Sequence, residues 1–341
     1  MTEPLTQAEP TLSYLDHLLG PLAAWLARGD VTDLYINRPG ELWVETLDGT
    51  VEPIPCSELT AKMLDRLARQ IAAASAQGVN RESPILSATL PDGARVQIVL
   101  PPATRHHPAL AIRKHLVMDR RLGDYEREGA FGLAATQAAH DDDLRAALEN
   151  SGPAKALSLA VRQRRNILIS GGTSTGKSTF LNALIAEIPA AERLIVIEDT
   201  PELQLRHDNV VGLLATRSAL GEARVSAEDL LNASLRMRPD RIILGEIRGP
   251  EAFTFLRAVN TGHPGSMTTI HADSPDRAVE QLALLVLQTG SRLRRSDIID
   301  YVLSIIDLFV QLDRTAEGRR ISEVRLSSRL SSAGALVAAV E

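Results

Sequence analysis

The sequence predicts an α/β chain in two parts. A small α+β domain spans residues 1–118, a linker spans 119–152, and a larger domain with a mainly parallel sheet spans 153–341. Three observations carry this expectation. A length of 341 residues accommodates roughly two domains at ~150 residues each. The first third is rich in β-forming runs separated by turn signals. From about residue 153, short apolar runs alternate with helical patterns, as βαβ units require.

Taken in order, residues 11–27 place Leu12, Leu15, Leu19, Leu22 and Leu26 at helical spacing, interrupted by Gly20-Pro21. Helices packed on their own domain are the preferred reading. A helix lying in a membrane interface is the alternative, but the segment lacks the lysine-rich polar face such helices use. Residues 31–52 read as a β-hairpin turning at Arg38-Pro39-Gly40, and residues 60–77 as an amphipathic helix. Residues 84–115 suggest three strands, the first two joined by Pro91-Asp92-Gly93. The linker at 119–152 is charged and rich in Gly and Ala. It is expected to carry one short helix, with Asp141-Asp142-Asp143 near its N-terminus where the helix dipole favours acids.

Composition excludes several classes. With 44% hydrophobic and 23% charged residues the chain is neither disordered nor collagen-like. The longest apolar runs, Leu22 to Ala27 and Leu282 to Leu287 among them, are six residues, whereas a membrane-spanning helix needs ~20. The opening MTEPLTQAEP has two glutamates and no basic residue, unlike a signal peptide. A single cysteine, Cys56, excludes a disulfide framework and any cysteine-based zinc site, and suits a reducing cytoplasm. Residues 1–150 carry 14 basic against 21 acidic residues, and residues 151–341 carry 23 against 22. Neither half has the basic excess of a duplex-binding protein, and 3% aromatics is little for a base-stacking platform. No sequence-specific nucleic-acid binding is expected.

Residues Gly171, Gly172, Thr173, Ser174, Thr175, Gly176, Lys177 and Ser178 form a complete G-x-x-x-x-G-K-[ST] phosphate loop. A short strand, Asn166 to Ile169, precedes it, and a helical stretch from Thr179 to Ile185 follows. The glycines let backbone N–H groups curl around a phosphate at a helix N-terminus. Lys177 is expected as an exposed loop lysine contacting the β- and γ-phosphates of ATP, and the Ser178 hydroxyl as a ligand of Mg²⁺. Two further buried strands end in acids: Leu194 to Ile197 runs into Glu198-Asp199, and Ile242 to Leu244 into Gly245-Glu246. In an open parallel sheet, ligands sit at the carboxyl ends of strands, so Glu198 and Glu246 are candidates to orient the attacking water. The bland alternative for each is a solvated strand end. The usual Walker B aspartate is replaced by Gly245. In Thr261 to His271, His263 and His271 are too far apart for zinc-finger spacing. Ser266 to His271 reads as a further strand, and from the residues alone His271 is more a structural hydrogen bonder than a catalyst.

Together GGTSTGKST, IEDTPEL, LRMRPDRIILGEIRG and NTGHPGSMTTIHA resemble, in order and spacing, the phosphate loop, Asp box, Walker B and His box of the secretion (traffic) ATPases. PDGARVQIVLPPAT and AIRKH are similar to the N-terminal domain of the type IV secretion and conjugal-transfer members, the VirB-eleven class. The likeness covers roughly residues 30–310. It implies a RecA-like ATPase domain preceded by a PAS-like domain, assembled as a homohexamer. Such a ring would bind ATP and Mg²⁺ and sit in the cytoplasm, peripheral on the bacterial inner membrane. Its partners would be the inner-membrane components of a secretion or conjugation channel. The resemblance assigns Glu198 to the Asp box, Glu246 to Walker B and His263 with His271 to the His box. It also gives Thr179 to the phosphate loop and carries Arg95 and Arg113 to the nucleotide phosphates. From the residues alone, those two arginines would be exposed strand positions. A pilus extension or retraction motor, and a nucleotide-gated scaffold with slow turnover, are the alternative functions. The four-cysteine zinc module of the type II secretion ATPases is excluded by composition.

Overall fold

A computed structural model of the chain describes residues 14–116, 121–129, 136–216, 221–327 and 337–339. It divides into two compact units, Met1–Pro102 with His106–Leu116, and Ala103–Arg105 with Val117–Glu341.

The first unit is α+β. Its elements are α1 (Tyr14–Ala27), β1 (Val31–Ile36), β2 (Gly40–Thr46), β3 (Val51–Cys56), α2 (Ala61–Ala74), β4 (Ile85–Thr89), β5 (Arg95–Val99) and β6 (Ala109–Arg113). The strands form one antiparallel sheet in the order β3-β2-β1-β6-β5-β4. Alternate residues enter the core, among them Leu34 and Ile36, Leu42 and Val44, Val96 and Ile98, and Leu110 and Ile112. Leu64, Leu67, Ala68 and Ile71 of α2 pack on that core. Thr60 caps α2, its hydroxyl accepting from the Met63 N–H at 3.2 Å. Two features differ from the sequence reading. The expected hairpin continues into a third strand, β3, which tolerates Pro53 and Pro55 because it lies on the sheet edge. Helix α1 runs through Gly20-Pro21 without a break. Leu18 before the proline and Leu22 after it are both buried in the same core, and that burial outweighs the hydrogen bond Pro21 cannot make. The preferred packing of this segment on its own domain is what α1 does; Leu12 lies outside the described residues.

The second unit comprises α3 (Leu122–Arg127), α4 (Thr136–Asn150), α5 (Pro153–Arg162), β7 (Ile167–Gly171), α6 (Lys177–Ala186), β8 (Leu194–Glu198), β9 (Val210–Leu214), α7 (Ala227–Ser234), β10 (Arg241–Ile247), α8 (Glu251–Asn260), β11 (Met267–Ile270), α9 (Pro275–Gln288), α10 (Arg295–Ile305), β12 (Leu308–Thr315), β13 (Gly318–Leu326) and β14 (Val337–Ala339). Its sheet runs β14-β13-β12-β7-β11-β10-β8-β9, parallel from β12 to β9 with β13 and β14 added antiparallel. Residues buried on both sheet faces explain the unbroken apolar runs of β7, β8 and β10. The acidic triplet falls in the second turn of α4, not at its start. Leu144 and Leu148 of that helix are buried with β7 and α6 in one core, so the C-terminal part of α4 belongs to this unit's packing. Residues Ala103–Arg105 add to the outer edge of β9, with Arg105 N–H donating to Gly212 O at 3.0 Å and Leu214 N–H to Ala103 O at 2.8 Å. Among the described residues, no helix is long and apolar enough to cross a membrane.

The start of β10 is fixed by a buried ion pair. Arg241 is fully buried and grips Glu192 in bidentate fashion, Nε to Oε2 at 2.7 Å and Nη2 to Oε1 at 2.8 Å. Its Nη1 also donates to Val161 O at 2.7 Å. Gly265, at φ +81°, lies against this guanidinium; a Cβ there would sit 2.6 Å from Arg241 Nη1 and 3.0 Å from Arg164 Cα. Gly265→Ala therefore combines left-handed backbone strain with displacement of a buried charge from its partner, a loss of about 3 kcal/mol or more. The expected result is a melting temperature lower by roughly 5–10 °C, read by circular dichroism. A change within a degree or two would show that Arg241 can shift freely.

Candidate nucleotide site

Strand β7 delivers the chain to Gly171, and helix α6 begins at Lys177. The intervening loop is set by glycines for distinct reasons. A Cβ on Gly171 would lie 2.6 Å from both Leu312 O and Thr175 Oγ1, so no side chain fits. Gly176, at φ +96°, turns the chain into the helix from the left-handed region. Thr175 Oγ1 donates to Gly172 O at 3.0 Å and closes the loop. Residues Thr173, Ser174, Thr175, Gly176, Lys177, Ser178 and Thr179 line a cavity of about 430 Å³. Its polar floor faces the N-terminus of α6, where free N–H groups favour an anion.

Lys177 is buried, contrary to the exposed loop lysine expected from the sequence. Its ammonium folds back onto the loop, donating to Gly171 O at 2.8 Å and Gly172 O at 3.0 Å. Burial pushes its pKa below the ordinary lysine value, with the charge of Glu246 acting in the opposite direction.

Three other elements reach the same cavity. Strand β10 contributes Glu246, β8 contributes Glu198, and His271 follows β11 directly; all three line it. Glu246 pairs with Arg248, and its Oε1 lies 2.9 Å from His271 Nε2. That approach lacks hydrogen-bond alignment, so the buried Oε1 has no aligned donor among the described residues. The orphaned carboxylate oxygen, the Ser178 hydroxyl and Lys177 line one cavity, a donor set that fits a magnesium-bound phosphate.

Glu198 is different. Its Oε1 accepts from the N–H groups of Glu202 at 2.9 Å and Leu203 at 2.8 Å, and its Oε2 from Arg105 Nη2. Arg105 also donates to Leu203 O at 2.9 Å. Glu198 is thus clamped by three donors. The missing Walker B aspartate has a spatial reason. A Cβ at Gly245 would stand only 3.2 Å from Glu198 Cγ, so a larger residue there would press on the Glu198 side chain.

Arg95 and Arg113 lie opposite one another in the β5–β6 register, both exposed, and Arg113 Nε stands 3.4 Å from Asp33 Oδ1. Both belong to the first unit, whereas the residues lining the cavity belong to the second. His263 does not line the cavity; its Nδ1 lies 2.9 Å from Ala258 O at the end of α8. Sequence reasoning missed Arg105, Arg248 and Arg319, the last two of which line the cavity. Arg248 follows Glu246 by two residues and was within reach of a local reading; Arg105 and Arg319 arrive from distant segments.

A phosphate loop between a buried strand and a helix, with acids at the ends of two neighbouring parallel strands, defines a phosphate-loop nucleotide-binding α/β protein. The family model described as type II/IV secretion system protein matches residues 19–334. The chain is 36% identical over 337 residues to the type IV secretion system protein VirB11 of Bartonella henselae, covering 94% of each chain. It is 39% identical over 313 residues to the PtlH homolog of Bordetella bronchiseptica, covering 89% of this chain and 91% of that one. The crystal structure of the VirB11 ATPase of the Brucella suis type IV secretion system, in complex with sulphate, superposes with a TM-score of 0.85 at 36% identity, covering 93% of this chain and 95% of that one. The chain belongs to the type II/IV secretion system protein family and is an ATPase of the type IV secretion kind.

Proposed function

We propose that this chain is a homohexameric motor hydrolysing Mg-ATP to energise type IV secretion or conjugal DNA transfer and pilus assembly. It works in the cytoplasm, peripheral on a bacterial inner membrane and docked on inner-membrane components of the channel. The observation that carries the catalytic part is the buried Oε1 of Glu246, without an aligned donor among the described residues, on the cavity that Lys177 also lines. The matches along nearly the whole chain to type IV secretion proteins support the cellular role.

In this reading the phosphates of ATP take the place of the Gly171 and Gly172 carbonyls as partners of Lys177. Their negative charge reverses the burial effect on the ammonium and keeps it protonated. The Ser178 hydroxyl would hold Mg²⁺, which would supply charge neutralisation for the phosphates. Glu246, held by Arg248 and flanked by His271, accepts the proton of the attacking water. Glu198, saturated by donors, is a positioning residue that fixes the Glu202–Leu203 turn on the cavity wall. On the motif resemblance, Arg95 and Arg113 neutralise charge developing on the γ-phosphate, as guanidinium groups are suited to do.

Steady-state phosphate release from ATP by the full chain, measured with Mg²⁺ and with chelator, tests the reading. Magnesium-dependent turnover together with the mass of six chains supports it. Tight nucleotide binding without turnover, in the presence of the membrane components, would favour a nucleotide-gated scaffold.

A further inference from the structure

The loop that follows β8 is closed at its base by one side chain from a distant segment. Arg105 belongs to the Ala103–Arg105 stretch on the outer edge of β9. Its guanidinium aims donors in fixed directions, and two of them find acceptors. Nη2 donates to Glu198 Oε2, and Nη1 donates to Leu203 O at 2.9 Å. Glu198 spans the same interval with its other oxygen, which accepts from the N–H groups of Glu202 and Leu203.

That loop forms part of the cavity wall. Asp199, Thr200 and Glu202 line the phosphate cavity, whereas Arg105 does not. The loop is also joined to α6, the helix that carries Lys177 and Ser178. Asn182 Nδ2 donates to Glu202 O at 3.3 Å, and the Gln204 N–H donates to Asn182 Oδ1 at 2.7 Å. A shift at the base of the loop therefore moves a wall tied to the phosphate-binding helix.

The seat of Arg105 is shaped for its stem. A Cβ at Gly212 of β9 would lie 2.8 Å from Arg105 Cδ and 3.0 Å from Cγ, so glycine leaves the space the arginine fills. Burial pushes the guanidinium below the ordinary arginine value, and Nε is buried with no hydrogen-bond partner among the described residues. A buried ion pair with an unsatisfied donor adds little net stability over well-packed apolar residues of similar volume. Stability is thus a poor reason for an arginine here. Holding two acceptors of one loop in a single geometry is what a forked donor does and an apolar side chain cannot.

We propose that Arg105 is a positioning residue for ATP hydrolysis: by bridging Glu198 to Leu203 O it holds the 199–203 loop against the phosphates. The proposal rests on the nucleotide reading above. A misplacement of about 1 Å in such a wall can lower turnover about 100-fold.

Turnover, Mg-ADP affinity and melting temperature of the full chain test it, with rates taken well below each variant's melting temperature. Absence of magnesium-dependent turnover in the wild type would sink the nucleotide reading itself. Arg105→Met keeps the stem and removes both donors. It is expected to lower kcat roughly 10–100-fold and to change ADP affinity less than roughly threefold. Arg105→Lys keeps the charge without the fork, and is expected to fold and to lose kcat roughly fivefold. In Arg105→Met/Glu198→Gln the loss of kcat is expected to match that of Glu198→Gln alone within roughly threefold, because both act on one loop. A residue that only stabilised the fold would lower the melting temperature and leave kcat untouched. Wild-type kcat in either single variant overturns the proposal, and so do losses that multiply in the double variant. Should Arg105→Met not fold, Arg105→Lys, alone and combined with Glu198→Gln, decides by the same criteria.

Discussion

Lys177→Ala is expected to lose ATP turnover by a factor of about 10³ or more while the protein stays folded. The ammonium is aimed at the loop carbonyls, where phosphate oxygens would sit. Removing one preorganised charge from a water-poor site costs about 10²–10³ in rate, and loss of ground-state phosphate binding adds to that. Burial alone does not make the residue a pillar of stability. Its two partners are carbonyl oxygens beside an open cavity, where water can replace the ammonium, so the net loss is about 1 kcal/mol. Linkage adds a sign. Burial lowers the Lys177 pKa in the folded state, so between that value and the ordinary lysine value the unfolded chain binds more protons. In that alkaline window stability rises with pH for the wild type, and the alanine variant lacks the contribution. Phosphate release and thermal melts on the same preparations check both parts. Wild-type turnover in the variant would remove the loop from the reaction.

The parts of the site legible in the sequence are those whose logic is local. A strand, a glycine loop and a helix follow one another within about 20 residues, and a buried apolar run ending in Glu246 needs only its own pattern. His271 was placed after a strand for the same reason. What escaped depends on which strands are neighbours. Gly245 is intelligible only once β8 lies beside β10 and brings Glu198 against it. The clamp on Glu198 needs Arg105, 93 residues away, and Arg319 reaches the loop from a hairpin two strands beyond β7. Burial of Lys177 also escaped, because a loop position carries no periodicity from which burial can be read. In the first unit, local propensity predicts an interruption at Gly20-Pro21 and a hairpin that ends at residue 52, before Pro53. In both places packing or edge position decided the outcome against local propensity.

The two glutamates occupy corresponding strand ends yet are built for different work, and one pair of substitutions separates them. Glu246→Gln is expected to keep ATP binding and lower turnover by about 10²–10⁴, the range for loss of a positioned general base. Stability should barely change, since Arg248 is half-exposed and loses a partner that water can replace. Glu198→Gln places a neutral amide among the Glu202 and Leu203 N–H groups and the Arg105 guanidinium. At least one of those contacts becomes donor against donor, and Arg105, its side chain 11% exposed, loses its counter-charge, a loss of about 3 kcal/mol. That variant should melt roughly 5–10 °C lower, and its turnover should fall because the cavity wall shifts. Nucleotide affinity, single-turnover rate and melting temperature, measured side by side, give each residue its own signature. A large melting loss in Glu246→Gln with normal chemistry, or normal stability with dead chemistry in Glu198→Gln, would exchange the two roles.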